Sequence, residues 1–275
     1  MEMPLPLTEQ RNSRSAGLGE LDAAGVIALM DAEEGLVGRA VQAAAAEIAA
    51  VAEVLARCFL EGGRVVLAGG GTSGHLVVQE VAELGPTFGV QAGRFVAMIA
   101  SGTLSGAPVV TADEDDVTAA VEGLAALSIG AGDVVVGVAA SGSTPFTLSA
   151  VVDARRRGAM TAGVANNVGS PLLREADLSV LLDTGPELLT GSSRLKAGSA
   201  QKAALNRMTM AAMVLAGRVR SNHMIDLRGT NDKLRARAMR IVTDLSGVDT
   251  PTARAALERS DWQVRAALEL LERRG

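Results

Sequence analysis

Three short stretches of this 275-residue chain gather glycines and hydroxyls in an order that lets a backbone close on an anion. In the first, the apolar run Val65-Val66-Leu67-Ala68 is followed by Gly69-Gly70-Gly71-Thr72-Ser73. The glycines, Gly71 included, allow a tight turn and close approach to a ligand. Thr72 and Ser73 place hydroxyls and amide N–H groups at a helix start, where negative charge is favoured. The second stretch, Ala139-Ala140-Ser141-Gly142-Ser143-Thr144-Pro145, repeats the pattern, with Ser141, Ser143 and Thr144 crowded ahead of a proline suited to the first turn of a helix. The third opens a long helix with Ser192 and Ser193 and adds Arg194 and Lys196. Cations oppose the positive end of a helix dipole, and a bound anion would repair that mismatch. Each stretch alone also fits a tight connection or a capped helix. Their recurrence points to a phosphate site, although none matches a Walker lysine loop or the dinucleotide fingerprint.

Such turns need strands behind them. Short apolar runs near residues 65–68, 95–100, 134–139, 161–165 and 178–182 alternate with helical patterns. This predicts an α/β fold with a doubly wound parallel sheet and a ligand at the carboxyl ends of the strands. Residues 21–34 and 36–60 have helical apolar spacing, and Gly62-Gly63 stops the second helix. An irregular polar arm to about Gly19 precedes them and is expected to lie on another part of the chain. Beyond Lys202 the pattern is helical, ending in short helices over 250–258 and 262–272 with Trp262 as a core residue. The expected organisation is an arm with helices over 1–62, a ligand-binding domain over 63–245 and a small helical bundle over 246–275.

Composition narrows the function classes. A net charge of −5 with a pI near 5.2 and no basic stripe argues against nucleic acid. Cys58 is the single cysteine, so no intrachain disulfide forms and a reducing, cytoplasmic setting is expected. The polar amino terminus lacks the apolar core of a signal peptide. The most apolar helical run, 41–55, carries Glu47 and Glu53, which argues against a membrane span. Neither His75 nor His223 has partners at metal-ligand spacing, and nothing suggests a cofactor.

Several motifs together resemble one family. Leu7-Thr8-Glu9-Gln10-Arg11-Asn12, the turn at 69–74, Gly85-Pro86-Thr87-Phe88-Gly89, the stretch at 134–145, the one at 191–202 and Thr230-Asn231-Asp232-Lys233-Leu234 are similar, in order and spacing, to N-acetylmuramic acid 6-phosphate etherases. The resemblance covers nearly the whole chain. It implies a lyase on the sugar isomerase (SIS) phosphosugar-binding fold, a phosphorylated amino sugar as substrate, a homodimer with sites near the subunit interface, and a ubiquitin-associated-like tail. Removing D-lactate from C3 of such a sugar needs one group to take the C2 proton and another to protonate the departing oxygen, a task for two carboxylates in different environments.

The residue pattern alone leaves Glu80 and Glu83 equal candidates for one of these. The resemblance favours Glu83, with the implied role of acid towards the lactate. It places the second on Glu114, implied to act on the C2 proton, within Asp113-Glu114-Asp115-Asp116, a cluster that could equally complement a helix dipole; a shift of one residue would give the role to Asp113 or Asp115. The implied substrate contacts are Gly71, Thr72, Ser73, Ser141, Ser143, Thr144, Ser192, Ser193 and Lys196. The chain departs from the family pattern at His75 and Ser143, where arginines are usual, and Leu84-Gly85 replaces Cys-Pro. Two other functions share the fold: a non-catalytic phosphosugar-binding regulator of the glucokinase-regulator kind, and an aldose-ketose isomerase.

Overall fold

The computed structural model describes residues 5–100, 102–103 and 113–273. Two compact units make up the chain, one drawn from Met1–Val81 and Gly93–Ala212, the other from Ala82–Ala92 and Met213–Gly275.

The first unit is built on a six-stranded sheet. Its strands are β1 (Val65–Gly69), β2 (Phe95–Ile99), β3 (Gly102–Thr103), β4 (Val134–Val138), β5 (Met160–Ala165) and β6 (Leu178–Leu181), in the order β3-β2-β1-β4-β5-β6. All neighbours are parallel except β3, which adds antiparallel at the edge of β2. The doubly wound sheet expected from the sequence is therefore present, with a short antiparallel edge added. Every residue of β1 and β4 is buried, which explains their unbroken apolar sequences: helices cover both faces.

The order of the strands locates the ligand crevice. From β1 the chain passes through α3 (Gly71–Phe88) to β2 on one side, whereas from β4 it passes through α5 (Pro145–Arg156) to β5, and on through α6 (Pro171–Glu175) to β6, on the other. The winding reverses between β1 and β4, and a crevice opens beyond their carboxyl ends. Packing fixes α5 there. Phe146 is buried with Val66, Val135, Met98 and, from α4 (Val117–Ala126), Leu124. Gly137 admits the helix so closely that a Cβ would lie 2.6 Å from Val151 Cγ2.

The amino-terminal arm folds as 3-10 turns over Leu7–Glu9, Ser13–Ser15 and Leu18–Glu20 before α1 (Ala23–Ala43) and α2 (Ala45–Leu60). The break between the two helices falls at Ala44, not near residue 35 as the sequence suggested. Gly35 costs a helix roughly 1 kcal/mol relative to alanine, but burial of Val37, Ala40 and Val41 carries α1 through it.

In the second unit, the hairpin β7 (Val219–Arg220) and β8 (His223–Met224) leads into α8 (Asp232–Ser246), α9 (Thr250–Arg259) and α10 (Val264–Glu272). Asn231 and Asp249 cap α8 and α9 by accepting from Leu234 and Thr252 amides, both at 2.9 Å. Ile241, Leu257, Val264 and Leu268 form the core, and Trp262 packs against it with the Arg235 guanidinium 5.1 Å from its ring centre. Among the described residues no helix is long and apolar enough to cross a membrane.

Candidate active site

Both glycine-hydroxyl turns lie where the winding reverses, and they enclose a cavity of about 170 Å³. Gly70, Thr72 and Ser73 line it from the β1 turn, and Ala140, Ser141 and Thr144 from the β4 turn. Glu114, Ser193, Thr8 and Glu9 complete the wall. Larger hollows exist, including one of about 440 Å³ beside Cys58, Asp133 and Met160. That hollow sits at the amino ends of β4 and β5 and gathers no hydroxyl turn, so the small polar cavity is the site the fold provides.

Local sequence explains the geometry. Glu114 lies over the glycine pair. A Cβ at Gly70 would stand 3.1 Å from its Cγ and 3.3 Å from Thr144 Cγ2, and one at Gly71 would collide with its Oε1. Gly71 also has φ +47°, a left-handed conformation that favours glycine. The Glu114 carbonyl accepts from the Phe146 amide at 3.0 Å, tying this turn to the start of α5. Of the four neighbouring acids, Asp116 accepts from the Ala119 amide at 2.9 Å and caps α4, whereas Glu114 is the one that lines the cavity. Ser141 Oγ accepts from the Ser143 amide at 3.1 Å and lies 3.4 Å from Thr144 Oγ1. Ser73 is buried and donates to Gln201 Oε1 at 2.8 Å. Gln201 in turn donates to Asn166 Oδ1 at 3.1 Å, so the hydroxyl has a fixed orientation.

The third stretch is used differently. Ser193 lines the cavity, but Ser192, Ser143 and Lys196 are not among its lining residues. Lys196, at the start of α7 (Lys196–Leu215), is buried and gives its ammonium to Glu33 and to the Pro186 carbonyl. The anion expected at this helix start is internal. Glu187, fully buried, accepts from the Lys196 amide at 3.1 Å and the Ala197 amide at 2.9 Å. Burial raises the Glu187 carboxyl above its ordinary value despite those two amides. Burial also acts to raise Glu33, but hydrogen bonds from Lys196 and Asn12, with the attraction of Lys196 and Arg14, hold it below the usual range.

The structure separates the two glutamates of α3. Glu80 is buried, with one carboxylate oxygen 2.5 Å from Lys202 Nζ and the other accepting from the Thr209 hydroxyl. Glu83 is exposed and belongs to the second unit. His75 is exposed on α3, and Ser143 is exposed at the mouth of the second turn.

Thr8, Glu9 and Asn167 escaped site assignment from the sequence. The arm does lie on another part of the chain: Thr8 is buried against Asn167 beside the second turn. The signal available was Leu7-Thr8-Glu9, a motif within an otherwise featureless polar segment.

Residues 30–166 match the SIS domain family model, and residues 221–273 match the model for the C-terminal lid domain of glucokinase regulatory protein. A phosphoheptose isomerase from Francisella tularensis superposes with TM-score 0.51 at 17% identity, covering 72% of this chain and 100% of that one. One from Neisseria gonorrhoeae gives 0.52 at 19%, covering 71% and 100%. These share the fold. The N-acetylmuramic acid 6-phosphate etherase of Deinococcus radiodurans is 45% identical over 266 residues, 96% of this chain and 87% of the relative. That of Rubrobacter xylanophilus is 42% identical over 96% of this chain and 88% of its own length. With that identity over nearly its full length, the chain belongs to the N-acetylmuramic acid 6-phosphate etherase family.

Proposed function

We propose that this protein cleaves the D-lactyl ether of N-acetylmuramic acid 6-phosphate, giving N-acetylglucosamine 6-phosphate and D-lactate. The observation that carries the proposal is a glutamate, Glu114, laid over a glycine pair where two hydroxyl-rich helix starts converge. The amides and hydroxyls of the two turns receive the 6-phosphate, with the hydroxyls of Thr72, Ser141, Thr144 and Ser193 and the backbone amide of Ser73, whose hydroxyl is committed to Gln201, as its nearest partners. Gly71 leaves room for Glu114, while Ser143, Ser192 and Lys196 support the loops from outside the cavity.

In the open-chain sugar the C2 proton is α to the C1 aldehyde. The Glu114 carboxylate takes this proton, the C2–H electrons form a C2=C3 double bond, and the C3–O bond breaks. Glu83, as the carboxylic acid, protonates the departing lactate oxygen. Water then adds at C3 of the unsaturated aldehyde and a proton returns to C2, so the lactyl group is replaced by hydroxyl. The assignment of Glu83 rests on the family resemblance.

The protein works as a homodimer in a reducing cytoplasm. The family resemblance supports the dimer, and the presence of a single, buried cysteine supports the compartment. The regulator reading loses ground because relatives matched along nearly the whole chain are etherases. The test is incubation of purified protein with N-acetylmuramic acid 6-phosphate and measurement of D-lactate. No release by the wild type would overturn the reaction, and release undiminished in both Glu83→Gln and Glu114→Gln would overturn the mechanism.

A further inference from the structure

We infer that Asn167 is a positioning residue for this site, locking the amino-terminal arm and the second hydroxyl turn into one wall that presents Glu9 and Ser141 to the substrate. Asn167 lies just past the end of β5 and is 5% exposed. Its Nδ2 donates to Thr8 Oγ1 at 2.9 Å, to the Ser141 carbonyl at 3.1 Å and to the Ala140 carbonyl at 3.3 Å. Its Oδ1 accepts from the Thr8 amide at 3.2 Å. One side chain thus uses both its donor and acceptor sides to join segments 159 residues apart in sequence. Aspartate would set a carboxylate oxygen against two backbone carbonyls, so the site demands an amide.

What the clamp positions is chemically specific. Thr8 is 3% exposed, and the next residue, Glu9, lines the cavity together with Glu114. Gly191 in the third turn, with φ +75°, keeps space for that carboxylate: a Cβ there would lie 3.3 Å from Glu9 Oε2. A carboxylate in a phosphate-binding cavity is repelled by the phosphate itself. Glu9 therefore accepts from a neutral donor of the sugar, a hydroxyl or the acetamido N–H. Such a contact is made in both ground and transition states and selects for a sugar bearing that donor.

The inference rests on the etherase reading, and the full-length chain tests both. D-lactate release and competitive inhibition by inorganic phosphate are measured for wild type, Asn167→Ala, Asn167→Asp and Thr8→Val, with circular dichroism and thermal unfolding on each. Asn167→Ala and Asn167→Asp should raise KM about tenfold or more, with a smaller change in kcat, and weaken phosphate inhibition in parallel. Thr8→Val frees only the arm, so it should raise KM with little effect on phosphate inhibition. A folded Asn167→Ala protein with wild-type KM and phosphate inhibition overturns the inference, even if its melting temperature falls, because that marks a purely structural role. If Asn167→Ala fails to fold, Thr8→Val decides: wild-type KM there overturns the inference. If the wild type releases no lactate, the etherase reading fails instead, and calorimetric phosphate binding by wild type against Asn167→Ala still decides the clamp.

Discussion

Glu80 and Glu83 stand three residues apart on one helix, and replacing each by glutamine should have opposite consequences. Glu80→Gln keeps the shape of the side chain but leaves Lys202 without its counter-charge. Removing one partner of a buried ion pair costs about 3–5 kcal/mol. Glu80 is buried, yet the Lys202 side chain is 26% exposed, so water relieves part of the penalty and about 2–3 kcal/mol is expected. For a chain of this size that lowers the melting temperature by roughly 4–12 °C. Glu83 is exposed, so its glutamine variant should stay within about 0.5 kcal/mol of wild type. Lactate release, by contrast, should fall about 10²- to 10⁴-fold in Glu83→Gln, the usual worth of a positioned proton donor. The folded fraction of Glu80→Gln should retain turnover. Thermal unfolding followed by circular dichroism, with D-lactate measured well below the melting point, reads both. A stable Glu80→Gln protein without turnover, beside an active Glu83→Gln protein, would refute the reasoning.

Gly71→Ala places a methyl against Glu114 Oε1 and a side chain at positive φ, so kcat/KM should fall about 100-fold or more while the protein still folds; unaltered kinetics would show that Glu114 does not rest on the glycine pair. Acid should destabilise the first unit. Glu33 and Asp133 are held below their ordinary values of 4.5 and 3.8, so their contributions are present above those values and vanish as pH falls through the lowered ones. Glu187, raised above 4.5, has the opposite sign and loses its contribution as pH rises towards its raised value. Melting temperature against pH should therefore drop below about 4.5, with a shallower drop in Glu33→Gln; an acid limb identical to wild type in that variant would exclude Glu33. Ser143→Arg restores the guanidinium usual in the family at an exposed position, where a charged hydrogen bond to phosphate is reduced by solvent to about 1 kcal/mol. KM should fall roughly three- to tenfold at low salt, and an unchanged KM would place that side chain out of reach of the phosphate.

The strand, glycine turn and helix at residues 65–88 were legible because every signal in them is local: a β-branched run, glycines where the backbone must turn, hydroxyls at a helix start. What stayed hidden depends on distant partners. Lys202 and Thr209, which distinguish Glu80 from Glu83, lie 122 and 129 residues beyond it. Lys196 looked like a free cation near an anion site because Glu33, 163 residues earlier, could not be paired with it in advance. Glu187 carried no mark of being the carboxylate that meets the start of α7. The contacts of the arm stayed hidden for the same reason, since Thr8 meets Asn167 and Asn12 meets Glu33 and the Pro186 carbonyl, all distant in sequence.

The charges lining the cavity set how a phosphosugar must enter it. Glu9 and Glu114 both line it, and none of the described residues lining it is a lysine or arginine. A phosphate brought within about 6 Å of a carboxylate at an effective dielectric near 20 is opposed by roughly 3 kcal/mol per pair of unit charges. Each helix start contributes about 0.3–1 kcal/mol in the other direction, and each hydroxyl or amide contact about 1 kcal/mol. Glu114 lies over the β1 turn itself, so these attractions win only where the phosphate meets donors of the two turns that this carboxylate leaves open. The neutral part of the sugar is then what faces Glu9 and Glu114. In the proposed mechanism repulsion therefore orients the substrate as well as attraction does: with the phosphate held by the turn donors, the C2–H of the open-chain aldehyde belongs to the uncharged part of the sugar that a carboxylate can meet without opposing charge.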